Sequence, residues 1–340
     1  MKAIRLYGNN DLRIEDVPPP TPQANEVLLQ TMSVGVCGSD VHYFQEGGTG
    51  SVRMDRPLIL GHEFSARIAA GPDQGTLVAV DPALNCGVCE FCKEGNPNFC
   101  VNLKFAGSED TDGAMQTFLA WPRKALYPLP SIMTPEEGAM LEPLGIAIHA
   151  LRLGKVFPGM DVGVFGTGPI GLLTIMMAKL AGAGRIFATD KLTDRLKAAQ
   201  ECGATHVFQA DGNEVDPILS ATRNRGLDVT FETAGDDGSA VETAVGTAKR
   251  GGTTVLVGIP AEDVTLFTAS AARRRGLTIK LSRRMKNTYP LSIQLVSTGQ
   301  INLKPLITHT FPLESYQSAF QTATDRQGLK VMINFPGASS

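Results

Sequence analysis

The hydrophobic positions divide the chain into a β-rich part, an alternating part and a short mixed part. Up to about residue 145, short apolar and β-branched runs are separated by glycine and proline, as in EVLLQTMSVGV, SARIAA and TLVAVDP. Runs of this kind predict strands that are joined by tight turns. One helical segment is predicted in this part, within PEEGAMLEPLGIAIHAL.

From about Pro158, strand-like runs alternate with segments of helix length. The helical segments include PIGLLTIMMAKLAG and TDRLKAAQECG, and the strand candidates are DVGVFG, RIFATD, THVFQ, LDVTFE, TTVLVG and LTIKLS. This alternation is typical of a doubly wound parallel sheet, so the predicted fold class is α/β. After about residue 286, YPLSIQLVSTG predicts one more helix, and mixed strands follow it.

Composition and charge restrict the class of protein. A chain of 340 residues, with 43% hydrophobic and 19% charged residues, is large enough for two globular domains. The net charge of −3 gives no basic surface that would bind nucleic acid. No apolar run of about 18 residues lacks a charge, and the amino terminus has no apolar signal core. We therefore expect a cytoplasmic protein that binds neither nucleic acid nor membrane.

The segment VGVFGTGPIG ends a predicted strand and opens a predicted helix. Gly166, Gly168 and Gly171 form the pattern G-x-G-x-x-G. The first glycine makes a tight turn, the second lets the backbone approach a pyrophosphate, and the helix N-terminus offers N–H donors. The pattern predicts a dinucleotide site, although glycines with this spacing also pack helices against sheets without any ligand.

Asp190 ends the next predicted strand, about 20 residues after the glycine pattern. A carboxylate at this place accepts hydrogen bonds from ribose hydroxyls and repels a 2′-phosphate, which favours NAD over NADP. The nearby Lys191 and Arg195 reduce that preference. The alternative role of Asp190 is that of an ordinary acidic residue at a helix N-terminus.

Four of the six cysteines lie in NCGVCEFCKEGNPNFC, with the spacing C-x2-C-x2-C-x7-C. The thiolates of Cys86, Cys89, Cys92 and Cys100 can close a tetrahedron around zinc with no open position, which is the arrangement of a structural site. In a reducing compartment, clustered cysteines bind metal more often than they form disulfides. An iron–sulfur cluster is the alternative for these four residues.

A second set of metal-binding side chains is dispersed along the β-rich part. Its members are a thiol, an imidazole and two carboxylates, from Cys37, His62, Glu63 and Glu142. One thiolate, one imidazole and one carboxylate leave a fourth position on zinc for water or substrate, which is the catalytic pattern. Each residue also has a structural alternative, such as a buried thiol or a carboxylate near a helix start.

Taken together, these segments resemble the zinc-dependent medium-chain dehydrogenases and, within that family, the polyol (sorbitol) dehydrogenase branch. The resemblance runs nearly from end to end, and its carriers are CGSDVHYFQEGG, LILGHE, the four-cysteine segment, DGAMQTFL, MLEPLGIAIHA, GTGPIG, VLVGIP and NTYPLSIQLVSTGQINLKPLITHTFPL. It implies a GroES-like β-barrel catalytic domain over residues 1–148 and a Rossmann NAD-binding domain over 149–286. Residues 287–340 are then expected to return to the catalytic domain.

The resemblance also implies roles for the catalytic candidates. The catalytic zinc is expected on Cys37, His62 and a carboxylate, which is either Glu63 or Glu142. Ser39 and His42 match the proton-relay positions of the family. Substrate hydroxyls are expected to contact Tyr43, Ser108, Glu142 and Arg284.

The resemblance further implies that NAD contacts residues in and around the glycine pattern and in the loops after the later strands. These residues are Gly166, Gly168, Pro169, Ile170, Gly171, Asp190, Arg195, Val257, Gly258, Ile259, Ser282 and Arg284. The resemblance implies one catalytic and one structural zinc per chain. The implied reaction is the reversible oxidation of a secondary polyol hydroxyl by NAD, which yields a ketose.

Several alternatives to a polyol dehydrogenase stay open. Within the family they are L-idonate 5-dehydrogenase, whose hydroxy-acid substrate would need a basic partner such as Arg283 or Arg284, L-threonine 3-dehydrogenase, and other secondary-alcohol dehydrogenases. Outside it, the cysteines could form a zinc ribbon of a binding module, or the chain could bind NAD without catalysis. The acidic net charge disfavours the first, and the intact set of candidate residues disfavours the second. The resemblance implies a homodimer or homotetramer.

Overall fold

The computed structural model describes residues 1–108, 110–235, 238–260 and 263–338, and the chain divides into two compact units. The first unit comprises Met1–Glu142 and Lys286–Ser340, and the second comprises Pro143–Met285. Over the described residues, no helix is long and apolar enough to cross a membrane.

Short strands dominate the chain up to the division between the units. They are β1 Lys2–Gly8, β2 Asp11–Asp16, β3 Glu26–Val36, β4 Gly48–Thr49, β5 Val52–Arg53, β6 Leu58–Ile59, β7 Glu63–Ile68, β8 Leu77–Val80, β9 Ala83–Leu84, β10 Lys104–Phe105, β11 Phe118–Pro122 and β12 Leu126–Pro128. The helices are α1 Gly38–Glu46, α2 Glu90–Lys93 and α3 Pro135–Ala139, with 3₁₀ turns at Pro97–Phe99 and Arg123–Ala125. The helix α4 Leu141–Gly154 begins in the first unit and continues into the second.

Strands and helices then alternate through the second unit, and the chain returns to the first. The second unit contains β13 Asp161–Phe165, α5 Pro169–Leu180, β14 Arg185–Asp190, α6 Thr193–Cys202, β15 His206–Gln209, α7 Val215–Ala221, β16 Leu227–Glu232, α8 Ser239–Thr247, β17 Ala248–Leu256, α9 Ala269–Arg275 and β18 Thr278–Leu281. The return contains α10 Tyr289–Ser297, β19 Ile307–Pro312, α11 Tyr316–Thr324 and β20 Lys330–Asn334, with 3₁₀ turns at Lys304–Leu306 and Leu313–Ser315.

β3 lies at the centre of the large sheet of the first unit. Over the described residues this sheet has seven strands in the order β12-β8-β7-β3-β20-β19, and β11 also pairs with β3. β7 and β20 both run antiparallel to β3, so Glu63 lies opposite Gly35 and Val331 lies opposite Val36. The ends of three neighbouring strands therefore meet where β3 leads into α1.

A buried aromatic pair packs between two strands of this sheet, β7 and β11. The ring of Phe64 on β7 meets that of Trp121 on β11 edge-on, with centroids 6.5 Å apart and an interplanar angle of 81°. Both side chains are buried, and each such burial contributes roughly 1.5–3 kcal/mol. The indole Nε1 of Trp121 donates to the carbonyl of Asp81 at 2.9 Å, so its polar atom is satisfied.

The second unit is built on a parallel sheet. Over the described residues it has six strands in the order β15-β14-β13-β16-β17-β18, and every pairing is parallel. All five residues of the central strand β13 are buried, as expected for a strand with helices on both faces. The strand order is that of a doubly wound dinucleotide-binding sheet, so the predicted fold class is confirmed.

A charged network lies at the amino-terminal edge of this parallel sheet. The carboxylate of Asp228 accepts from Arg225 at 2.6 Å, from Lys249 at 2.5 Å and from the backbone N–H of Asp161 at 2.9 Å. Asp161 in turn accepts two hydrogen bonds from Arg185, at 2.8 and 2.6 Å. Burial alone would raise the pKa of Asp228, but the bonds from Arg225 and Lys249 outweigh it and lower that pKa from 3.8 to about 2.

The depressed pKa predicts a loss of stability in acid. Between about pH 4 and pH 2 the unfolded state binds a proton at Asp228 that the folded state does not, so the free energy of unfolding should fall as pH decreases through this window. Asp228→Asn should remove this part of the slope and cost about 1 to 3 kcal/mol at pH 7. Urea unfolding at a series of pH values measures both effects.

A matched control is Asp194→Asn, because Asp194 pairs with Lys197 while its side chain is 93% exposed. That variant should unfold like the wild type at every pH. An unchanged pH slope in Asp228→Asn would contradict the role given to the network.

The helix α1 was not predicted from the hydrophobic pattern. Its sequence GSDVHYFQE has little apolar periodicity, and only Asp40 and Tyr43 are buried. The helix is determined instead by its cap, because the Asp40 carboxylate accepts the backbone N–H of Cys37 at 2.9 Å. By contrast, each strand predicted in the alternating part overlaps a strand of the structure.

Candidate functional site

Cys37 lies between the end of β3 and the start of α1. As the N-cap residue it has extended backbone angles, with φ of −90° and ψ of 158°. Asp40, which is 1% exposed, bonds the Cys37 backbone with one carboxylate oxygen and the Gly61 backbone N–H with the other, at 3.2 Å. The same oxygen lies 3.6 Å from Nδ1 of His62. Asp40 therefore holds together the two loops that carry the thiol and the imidazole.

Cys37, His62 and Glu63 come together as a group of possible metal ligands. Their sulfur, ring nitrogen and carboxylate oxygen all lie within 4.8 Å of one another. Burial disfavours a charged imidazole, but Asp40 and Cys37 outweigh it and raise the pKa of His62 well above 6.5. The group thus favours a positive charge, and its thiolate, imidazole and carboxylate donors suit zinc.

The carboxylate of Glu63 is held by Lys330 on β20. Nζ of Lys330 donates to the two carboxylate oxygens at 2.9 and 2.6 Å, and also reaches the carbonyl of Val36 at 3.4 Å. Burial lowers the pKa of Lys330, but the charge of Glu63 outweighs it, so the net shift is upward. A Cβ atom at Gly35 would overlap Oε2 of Glu63, so a glycine is required opposite this pair.

Glu142, near the start of α4, is buried in the first unit and is 6% exposed. Burial raises the pKa of Glu142 to about 7, Glu63 adds to the increase and His62 opposes it. The contiguous ligand group contains Glu63 and not Glu142. Of the two carboxylates left open by the sequence, Glu63 is the one with an oxygen within 4.8 Å of the donor atoms of Cys37 and His62.

The polar residues that follow Cys37 lie along α1. Ser39 and His42 are half-buried, and Nδ1 of His42 lies 3.5 Å from a carboxylate oxygen of Glu46. Tyr43 is buried, and its hydroxyl lies 3.1 Å from that of Ser108, in the loop after β10. The structure thus brings together two of the residues predicted to contact substrate. The fourth predicted contact, Arg284, belongs to the second unit.

Cys86, Cys89, Cys92 and Cys100 form the second ligand group, with their sulfur atoms within 4.8 Å of one another. Backbone N–H groups of Val88 and Cys89 lower the pKa of Cys86 to about 6. Burial and the neighbouring thiols raise that of Cys92 to about 12. The number and closeness of the four sulfur atoms fit a structural zinc.

The predicted glycine turn connects β13 to α5. Gly166 has a φ of 96°, and a Cβ there would lie 2.8 Å from Cα of Ala234, so the position needs glycine. Gly168 is the N-cap of α5 and Pro169 follows it at the first helical position. Gly171 is buried in the first turn, where a Cβ would overlap the carbonyl of Gly166. This is the backbone shape that admits a pyrophosphate.

Asp190, at the end of β14, is bound to this turn. Its Oδ2 accepts the backbone N–H of Thr167 at 2.7 Å and the Thr167 hydroxyl at 3.1 Å, and its Oδ1 accepts the N–H of Leu192 at 2.8 Å. Oδ1 keeps acceptor capacity, because each carboxylate oxygen accepts more than one hydrogen bond. Arg195 lies close by, with Nη1 3.6 Å from where a Cβ of Gly168 would be.

The remaining cofactor candidates follow the strands on the other side of β13. Val257, Gly258 and Ile259 form the loop after β17, and Ile259 is 53% exposed. Ser282 follows β18 and its N–H donates to the carbonyl of Leu256 at 2.8 Å. Arg284 has a φ of 53°, which is uncommon for a residue with a side chain.

Three residues that hold the catalytic ligand group or the glycine turn in place were not predicted from the sequence. Asp40 had a local signal, because an acidic residue three positions after the N-cap residue Cys37 is typical of a capping box. Thr167 lies inside the glycine pattern, so its hydroxyl could have been paired with Asp190. Lys330 had no signal, because 267 positions separate it from Glu63.

Comparison with known proteins finds family models that match parts of both units. The family model of the alcohol dehydrogenase GroES-like domain matches residues 23–131, and that of zinc-binding dehydrogenases matches residues 169–298. Sorbitol dehydrogenase of Bacillus subtilis is 36% identical over 342 residues, covering 98% of this chain and 97% of the relative. The Pongo abelii sorbitol dehydrogenase is 39% identical over 342 residues, with coverage of 97% and 95%.

A solved structure extends the likeness to the fold. The crystal structure of L-idonate 5-dehydrogenase from Escherichia coli has a TM-score of 0.89 at 27% identity and covers 98% of both chains. The chain therefore belongs to the zinc-dependent medium-chain dehydrogenase family, as an oxidoreductase of its sorbitol dehydrogenase-like branch.

Proposed function

We propose that this protein catalyses the reversible, NAD-dependent oxidation of a secondary hydroxyl of a polyol to a ketone. The observation that carries the proposal is the ligand group of half-buried Cys37 with buried His62 and Glu63. It stands beside Glu142 and in the same unit as the hydroxyl pair of Tyr43 and Ser108. A site for a simple apolar alcohol would be lined by hydrophobic side chains instead.

Zinc on Cys37, His62 and Glu63 would supply a Lewis acid that makes a substrate hydroxyl more acidic. Ser39 would pass the proton of that hydroxyl on through the cofactor ribose toward the half-buried His42, which would release a proton to water. Tyr43 and Ser108 would orient further hydroxyls of the substrate. NAD would supply the hydride acceptor, and the substrate carbon would then carry a carbonyl in place of the lost hydride and proton.

The proposal is tested by a substrate panel with metal analysis on the same sample. We expect turnover of sorbitol or xylitol with NAD, little turnover of L-threonine, and two zinc ions per chain. L-Idonate is the second candidate substrate, because the solved L-idonate 5-dehydrogenase shares the fold of the whole chain. A protein that holds two zinc ions but oxidises none of the polyols would contradict the proposed reaction.

The position of Asp190 predicts a preference for NADH over NADPH. A 2′-phosphate would meet a buried carboxylate that Thr167 and Leu192 hold in place, and juxtaposed like charges cost several kcal/mol. Asp190→Asn should therefore lower the ratio of kcat/KM for NADH over NADPH by at least about tenfold. Asp194→Asn is the control with an exposed carboxylate. A wild-type enzyme that prefers NADPH would contradict the role given to Asp190.

A further inference from the structure

Glu232, the last residue of β16, joins two loops at the carboxyl edge of the parallel sheet. Its side chain is 2% exposed. Oε1 accepts the backbone N–H groups of Ala234 and Gly235, each at 2.7 Å, and Oε2 accepts that of Gly258 at 3.1 Å. The main-chain carbonyl of Glu232 accepts the N–H of Val257 at 2.8 Å. One residue thus connects the loop after β16 to the loop after β17.

The loop after β16 is also attached to the glycine turn after β13. The hydroxyl of Thr233 donates to the carbonyl of Gly166 at 2.6 Å, and the N–H of Thr233 donates to that of Phe165 at 2.8 Å. Ala234 lies where a side chain on Gly166 would be. Hydrogen bonds therefore connect the loops that follow three neighbouring strands, β13, β16 and β17. Thr233 donates to the first of these loops, and Glu232 accepts from the other two.

The two loops approach each other closely at Gly235 and Gly258. A Cβ on Gly258 would lie 2.6 Å from Oε1 of Glu232, and a Cβ on Gly235 would lie 2.6 Å from the carbonyl of Ile259. Gly235 also has a φ of 60°, which favours glycine. The two loops consequently pack against each other and against the carboxylate, with no space for a side chain at either glycine.

The strand order shows which half of a dinucleotide these loops would receive. A dinucleotide crosses a sheet of this kind at the switch point beside β13, with one nucleotide on each side. Asp190 ends β14, on one side of β13, and is the partner proposed for the adenosine ribose. β16 and β17 lie on the other side, so we expect their loops to receive the nicotinamide nucleotide.

We propose that Glu232 is a positioning residue for the nicotinamide half of the cofactor. It holds Val257, Gly258 and Ile259 at a fixed distance from the pyrophosphate turn without touching the cofactor itself. This inference rests on the proposed NAD-dependent function. It adds that affinity for the two halves of the cofactor depends on different buried carboxylates, Asp190 for one and Glu232 for the other.

The test compares Glu232→Gln with Glu214→Gln in the full-length protein. Glu214 is a matched control, because it is also a buried acceptor in the second unit, bound by the Gly212 N–H and the Thr243 hydroxyl. In Glu232→Gln an NH₂ group faces backbone donors, so we expect NADH to bind about tenfold more weakly and AMP within about twofold of wild type. Glu214→Gln should leave both affinities unchanged.

Two further measurements make the result independent of folding defects. Hydrogen exchange at Ala234, Gly235 and Gly258 should become faster in Glu232→Gln while β13 and β14 stay protected. Gly258→Ala forces the loop away from an intact carboxylate. Like Glu232→Gln, it should weaken the binding of NADH and leave the binding of AMP unchanged. An unchanged ratio of NADH to AMP affinity in both variants would overturn the inference. Wild-type protein that binds neither ligand would instead contradict the proposed function on which it rests.

Discussion

Cys37→Ser is expected to lower kcat/KM for polyol oxidation about a thousandfold in a protein that still folds. Cys37 caps α1 through its backbone, and the backbone bond to Asp40 survives the substitution, so the local structure is retained. The thiolate donor is lost, and with it several kcal/mol of Lewis-acid stabilisation of developing charge. On one preparation, steady-state kinetics measure the loss of turnover, metal analysis measures the loss of the catalytic zinc, and thermal unfolding checks that the fold is retained.

The matched control is Cys92→Ser, which removes one ligand from the four-cysteine group. That variant should lose the other zinc ion, become sensitive to proteolysis around residues 86–100, and keep the turnover of its folded fraction. Each variant should therefore hold one zinc ion and differ a thousandfold in activity. Equal activities would mean that the assignment of the catalytic and structural groups is wrong.

Lys330→Met is expected to destabilise the first unit by about 3 to 5 kcal/mol, the cost of leaving one member of a buried ion pair without its partner. Glu63 is 1% exposed, and the ammonium group of Lys330 contacts both of its carboxylate oxygens. Methionine fills a similar volume, so the loss should reflect charge and not a cavity. Chemical denaturation of the metal-free protein measures it, because bound zinc would give Glu63 a second counter-ion.

Two comparisons separate this effect from general damage. Lys2→Met breaks a pair with Asp16 whose side chains are 51% and 75% exposed, and it should change stability by less than about 1 kcal/mol. The double variant Lys330→Met with Glu63→Gln should recover most of the lost stability but not the turnover, because Glu63 is a proposed zinc ligand. Equal stabilities of Lys330→Met and Lys2→Met would show that the buried pair does not form.

The two units differed in how far their fold could be predicted. In the second unit each strand is a short apolar run with a helix on either side, so the pattern alone indicates both the elements and the parallel sheet. In the first unit β20 pairs with β3 across the inserted second unit. Pairing over that distance leaves no local pattern, and the sheet order of the first unit became clear only from the structure.

The site residues show the same division between local and distant information. The thiolates, His62 and Glu63 were predicted because metal ligands are chemically distinctive residue types. Asp190 was predicted from its spacing, but the sequence did not show that Thr167 already bonds its carboxylate. Lys330 reads as one more basic residue on a strand, and only the neighbouring positions of β7, β3 and β20 reveal its partner.

The position of β20 also affects the order in which the protein matures on the ribosome. Synthesis runs from the amino terminus, so β3 and β7 emerge well before Lys330. During that interval the Ser33–Val36 segment of β3 is an open sheet edge, and the carboxylate of Glu63 has no counter-ion from β20. The Glu63–Lys330 pair therefore forms only after β20 has been synthesised, and nascent chains that stop before β20 should depend on chaperones.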